Sequence, residues 1–167
     1  MSLILTGRPR TGYHERALFQ PAAVWLRADD SLPEAAVLRR NLQSGGFGGR
    51  LTLDGVPDQP PDLGILCLKP EAQEVALREL AAMGCHTAVV PVAAPGLTEM
   101  ARASGVRCLG ERSFGLALPG IGLNATLSHL PIRSGKLALM AQSSAVARSV
   151  LDWRIASSTA SLAINVR

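Results

Sequence analysis

The residues best suited to chemistry in this chain form a short polar turn, Gln142-Ser143-Ser144. It follows the apolar run Gly135 to Ala141 and precedes a helical pattern, which makes it a strand-to-helix turn. Hydroxyls and unpaired N–H groups at such a turn make an anion site. The same serines serve equally as a plain N-cap, and both readings stay open. Lys69-Pro70 ends an apolar run and opens a helix, so Lys69 either meets a ligand or is a solvated strand-end cation. Cys67, Cys85 and Cys108 lack metal-ligand spacing, and two of them sit in apolar runs. Reduced, buried thiols are expected, with no metal. No Ser–His–Asp or paired-carboxylate constellation can be argued from the positions of His14, His86 and His129, so no catalytic residue is assigned.

Composition sets the frame for these groups. The chain has 167 residues, 47% hydrophobic and 18% charged, as a folded domain does. Aromatics are only 4%, so the core must be aliphatic, which suits parallel strands under helices. Net charge is +4, and Lys69 and Lys136 are the only lysines. Such a balance permits an anionic partner such as a phosphorylated cofactor or nucleic acid, and serves equally as a solvated arginine-rich surface. The arginines are scattered without aromatic interleaving, which argues against specific nucleic-acid binding. No apolar run is long enough to span a membrane and none reads as a signal segment, so a cytoplasmic protein is expected.

The pattern along the chain places the turns. Residues 1–20 read as an arm ending in a short helix from Tyr13 to Phe19. Strands are expected at Ala22–Arg27, Gly49–Leu53, Leu63–Leu68, His86–Val92 and Val106–Leu109. Helices fall between them at Leu32–Gln43, Pro70–Met83 and Gly96–Ser104, with Ser31 as the first N-cap and Gly45-Gly46 as a stop. Residues 54–62 carry three prolines and read as a connector. This alternation predicts an α/β fold, a Rossmann-like parallel sheet with helices on both faces. Ligands meet such sheets at the carboxyl ends of the strands, which selects the loops Arg27–Leu32, Lys69–Glu71, Val92–Gly96 and Gly110–Phe114. A Gly- and Pro-rich crossing, Gly115 to Leu130, then leads into a second βαβ start. Its strands are Gly135–Ala141 and Ala160–Val166, with a helix from Gln142 to about Ile155. Two strands and one helix cannot bury both faces of a sheet. That unit must dock on the first, pair with another chain, or be part of something larger. The expected division is 1–20, 21–130 and 131–167.

Several phrases, in order, resemble the CoA-binding region of NDP-forming acyl-CoA synthetases and of the related enzymes that acetylate protein lysines. They are Leu18-Phe-Gln-Pro21, Ala36-Val-Leu-Arg-Arg-Asn-Leu followed by Gly45-Gly-Phe-Gly-Gly49, Pro61-Asp-Leu63, Gly122-Leu-Asn-Ala-Thr126, Gln142-Ser143 and Leu151-Asp-Trp153. The resemblance covers about Leu18 to Asn165. It implies a Rossmann domain that binds CoA or acyl-CoA, followed by the start of a flavodoxin-like unit of the succinyl-CoA synthetase type. In the family that unit's serine loop helps hold a phosphohistidine, and a separate ATP-grasp module completes transfer to or from nucleotide. The chain has neither the phosphohistidine region nor that module, so its status as an enzyme stays open.

The resemblance places the cofactor near Arg27-Ala28-Asp29, Lys69-Pro70, Ala93 and Gly110, with a phosphate-loop-like turn at Gln142-Ser143-Ser144. It departs from the family where chemistry is expected. The family's Gly-Ala-Ser loop after the first strand is Arg27-Ala-Asp-Asp30 here, and its Gly-Pro-Asn is Gly110-Glu-Arg112. The segment after the second strand is also short. Aspartates repel phosphate, whereas Arg27 could replace lost N–H contacts with a charge-assisted one. Two functions follow. One is a CoA-binding part of a larger or split acid–CoA ligase or acetyltransferase, working with a partner subunit or as a homo-oligomer. The other is a degenerate, non-catalytic module for protein–protein interaction. Binding requires positive potential and room at the sheet's carboxyl edge; a non-binding relative would fill that edge with Asp29, Asp30 and Glu111. A nicotinamide-binding oxidoreductase is disfavoured because no Gly-x-Gly-x-x-Gly follows the first strand.

Overall fold

The structure, a computed structural model, describes residues 15–165 apart from 54, 136 and 158–160. The chain runs α1 (Glu15–Phe19), β1 (Ala23–Ala28), α2 (Pro33–Ser44), β2 (Arg50–Thr52), β3 (Leu63–Cys67), α3 (Pro70–Ala82), β4 (Thr87–Val89), α4 (Leu97–Ser104) and β5 (Arg107–Leu109). It continues with β6 (Gly115–Leu118), a 3-10 turn at Pro119–Ile121, β7 (Leu123–Thr126), β8 (Leu137–Ala141), α5 (Ser144–Ser157) and β9 (Ser161–Asn165). Most of the expected arm, with Tyr13 and His14, lies outside the described residues.

The first five strands form one parallel sheet in the order β2-β1-β3-β4-β5. All residues of β3 are buried, as a strand covered on both faces must be. Alternation along β1 divides the core. Val24 and Leu26 join α2 residues Leu38 and Leu42 on one face. Trp25 joins Ala76, Leu77 and Leu80 of α3 and Leu97 of α4 on the other. Each fully buried leucine here stabilises the fold by ~1.5–3 kcal/mol. The Rossmann-like α/β class read from the sequence is thus the observed one.

Three local expectations differ from the structure. Ser31 does not cap α2: Leu32 occupies the N-cap position with no side-chain cap bond, and Pro33 begins the helix. Proline at the first turn has no N–H that needs a cap. The fourth strand is shorter than His86–Val92, because Pro91 cannot donate to a ladder. The crossing Gly115 to Leu130 is no mere connector. It contains the antiparallel hairpin β6–β7, whose four-residue strands, each buried throughout, are too short to show an alternating pattern.

That hairpin explains how the second unit is accommodated. β8 and β9 are parallel partners around α5, and β9 pairs antiparallel with β6. The result is a mixed four-stranded sheet, β7-β6-β9-β8. On its other side the hairpin packs on α2. Asn41 of α2, 5% exposed, donates to Thr126 O at 2.7 Å and Ser128 O at 2.8 Å. Close backbone approach completes the contact. A Cβ at Gly45 would collide with the carbonyl of Gly122, and Gly122 itself has φ 72°.

Replacing Asn41 by alanine should leave both carbonyls without these buried donors and destabilise the protein by about 2 kcal/mol. Urea unfolding of Asn41→Ala checks this, and a loss too small to measure would remove the bond pair as the lock between α2 and the hairpin.

Candidate functional site

In a sheet of order 2-1-3-4-5, successive crossovers leave on opposite faces at β1 and β3, and a crevice opens at their carboxyl ends. A cavity of about 440 Å³ lies at this edge. The ends of β3 and β4 supply Leu68, Lys69, Pro70, Val92 and Ala93. The β5–β6 loop supplies Arg112, Ser113 and Phe114; α2 supplies Glu34; α5 supplies Ser144 and Arg148. Its walls are largely apolar, with charge at the rim, as ligand clefts usually are.

A second cavity, about 640 Å³, lies along β1 and is lined by Trp25, Arg27, Ala28, Arg39, Leu53, Val56 and Glu79. It exists because the β2–β3 connector carries no helix to cover this part of the sheet. Leu68 borders both cavities.

The expected site residues are therefore split. Lys69, Pro70, Ala93 and Ser144 meet at the first cleft. Arg27 and Ala28 line the second. Alternation puts Arg27 on the α3 face, where it forms an ion pair with Glu79 and lies 5.4 Å from the Trp25 ring centroid. Asp29 lines neither cavity; its carboxylate accepts from Ser31 N–H at 2.9 Å and pairs with Lys69 at 3.2 Å. Gly110 is half-buried and lines neither cavity. Gln142 and Ser143 are exposed, and Ser143 Oγ accepts from Val146 N–H at 3.4 Å as an N-cap does. His86 bonds Gly105 O through Nδ1 at 3.0 Å, a structural contact, and His129 is exposed.

The carboxylates expected at a filled edge each have an identified role. Asp30 pairs with Arg39 at 3.1 Å. Glu111 Oε2 accepts from Ala94 N–H at 2.9 Å. Asp29 and Glu111 thus occupy backbone donors in two of the four loops around the crevice. Arg148 and Glu34 were not anticipated, and Arg112 and Phe114 lie in the selected loop Gly110–Phe114 without having been singled out as site residues. Arg148 was detectable in principle, since it lies four residues after Ser144 and so shares its helix face. Nothing in the sequence set Arg112 apart from its neighbours in that loop, because its placement follows from an unusual left-handed backbone, φ 55°.

The chain matches no family model. It is similar in sequence to the alpha subunit of acetate–CoA ligase [ADP-forming] I of Pyrococcus furiosus, 26% identical over 83% of this chain and 37% of that protein. In fold it matches the dinucleotide forming acetyl-coenzyme A synthetase 1 of Ca. Korarchaeum cryptofilum, with a TM-score of 0.79 and 21% identity over 90% of this chain and 39% of that one. A protein of Pyrococcus horikoshii gives 0.76 and 19% over 88% and 40%. The chain thus spans about two fifths of the length of these relatives. The resemblance to the CoA-binding region of NDP-forming acyl-CoA synthetases stands on this similarity in sequence and fold. Among the described residues, no helix is long and apolar enough to cross a membrane.

Two titration outcomes follow. The Ser31 hydrogen bonds, chiefly, and Lys69 hold the Asp29 carboxyl below its ordinary value of 3.8. A depressed folded-state value means stabilisation that is present above pH 3.8 and is lost as pH falls through the lower folded value. NMR titration of Asp29 should show that lowered midpoint, and Asp29→Asn should flatten the acid limb of the stability curve. Burial pushes the Cys67 and Cys108 thiols up to about 12. Iodoacetamide at pH 8 should therefore label neither in the folded protein and both in urea; native-state labelling would contradict their placement.

Proposed function

We propose that this chain is a CoA- or acyl-CoA-binding module of the NDP-forming acyl-CoA synthetase type, acting within a larger or split acid–CoA ligase or acetyltransferase. The observation that carries the reading is the cleft at the sheet's carboxyl edge, with Lys69, Arg112 and Arg148 on its rim and apolar walls between them. An elongated, partly apolar thiol cofactor with phosphates suits that lining. Lys69, Pro70, Ala93 and Ser144 would contact it directly, and Gly110, Gln142 and Ser143 would frame the site. A part of the ligand reaching past Leu68 would meet Ala28 and Arg27 in the second cavity, with Asp29 between.

Residues 21–130 would form the cofactor-binding unit after an arm at 1–20, and 131–167 would open the second unit. The described residues offer no nucleophile–base pair at the cleft. Turnover would therefore rest on groups supplied by a partner subunit, another copy or further chain. Such a module would work in the cytoplasm, where CoA thioesters are made and used.

A second reading has its own support. Asp29 and Glu111 occupy N–H groups at Ser31 and Ala94, positions where a doubly wound fold offers backbone donors to phosphate. On that reading the fold is a degenerate interaction module that holds no cofactor.

Calorimetric titration with CoA and acetyl-CoA at low salt separates the two. The binding reading expects a micromolar dissociation constant, weakened by added salt. No heat at millimolar ligand would sink it in favour of the interaction module.

A further inference from the structure

The charges around the first cleft are not evenly spread. At the β1/β3 end stand Asp29, Glu34 and Lys69. Asp29 takes both Lys69 and the Ser31 N–H, and Glu34 adds a second carboxylate on the same rim. The Ala94 N–H of the β4–α4 loop is taken by Glu111. This end therefore offers little to an anion. At the α5 end stand Arg112 and Arg148. Among the described residues no carboxylate forms an ion pair with either of them.

The Arg148 guanidinium and the Arg112 backbone are held in place. Arg148 lies 5.6 Å from the Phe114 ring centroid, which limits the freedom a long side chain would lose on binding. Arg112 sits at φ 55°, in the left-handed region that costs a residue with a Cβ about 1 kcal/mol or more. Its N–H bonds Val92 O at 3.0 Å, and its carbonyl lies 3.5 Å from Ser144 Oγ as acceptor. A glycine would take this conformation without strain, yet an arginine is present and borders the cavity. Strain retained at a cleft, with a cation as its result, points to a ligand group that the cation meets.

We propose that the anionic part of the ligand is held at the α5 end of the cleft by Arg112 and Arg148, and not at the β1/β3 crevice. This rests on the cofactor-binding reading and reverses the end of the cleft that carries the charge. Two sources supply such an anion: the phosphates of the nucleotide portion, or a free carboxylate on the acyl group. Either accepts paired N–H donors from a guanidinium fork.

The test is calorimetry on the full chain with CoA, adenosine 3′,5′-bisphosphate, acetyl-pantetheine and succinyl-pantetheine. The variants are Arg112→Gly, Arg148→Gln and Lys69→Gln. Each arginine variant should weaken binding of the anionic ligand about tenfold or more, whereas Lys69→Gln, whose ammonium already pairs with Asp29, should weaken it by less than either arginine variant. Arg112→Gly should also raise or preserve the melting temperature, because glycine relieves the left-handed strain. Loss of affinity without loss of stability separates a binding role from a structural one. If the phosphates are the anion, the bisphosphate loses affinity in the arginine variants. If the acyl carboxylate is the anion, succinyl-pantetheine loses its advantage over acetyl-pantetheine. Unchanged CoA binding in both arginine variants, with loss in Lys69→Gln, would overturn the proposal and leave the cofactor reading intact. Absence of binding by the unaltered chain to all four ligands would overturn both.

Discussion

The arrangement depends first on one constraint of chain direction. β1 lies between β2 and β3, and all five strands run parallel. The crossover after β1 goes to one neighbour and the crossover after β3 goes the opposite way. α2 therefore covers one face and α3 the other. The loops leaving β1 and β3 diverge, and their carboxyl ends cannot close over each other. Asp29 and Lys69 pair across that divergence because Asp29 is the first residue beyond the end of β1 and Lys69 the second beyond the end of β3.

The far wall of the cleft is built differently. It needs the second sheet to sit close to α2, and backbone-to-backbone contact at Gly45 and Gly122 with the Asn41 amide achieves this. β6 then aligns β9, and the β8–α5–β9 unit brings Ala147 and Leu151 onto Phe114. Ser144 and Arg148 reach the cleft only through that chain of contacts. Binding geometry and the stability of the hairpin are therefore linked: anything that loosens α2 from β7 also moves the cation-bearing helix.

Electrostatics modifies this frame. Backbone donors at the edge of a doubly wound sheet favour phosphate only while they stay unoccupied. Asp29 and Glu111 occupy two of them through their own carboxylates, and Arg27 is directed to Glu79 on α3. Of the cations that line the cleft, Lys69 is paired with Asp29, whereas Arg112 and Arg148 stand away from the crevice with no carboxylate ion-paired to them among the described residues. Similarity in sequence and fold to CoA-dependent ligases and an altered distribution of charge are compatible, because fold follows apolar burial whereas binding follows a few polar atoms.

Sequence alone determined the parallel sheet, since aliphatic runs bounded by glycine and proline have few other solutions. It also determined α3, whose Pro70 start and apolar spacing match the observed Pro70–Ala82. It did not reveal the hairpin β6–β7, because four-residue strands with glycine at turns lack a periodic signal. It could not separate Arg27 from Lys69, since strand alternation sends the Arg27 side chain to the α3 face while Lys69 lies beyond the strand end. Nor could it place Arg112 and Arg148 on one cleft. They lie 36 positions apart, and only the pairing of β6 with β9 and the packing of α5 on Phe114 bring them together. Local pattern records what each segment buries. Which side chains share a cavity is decided by contacts between segments distant in sequence.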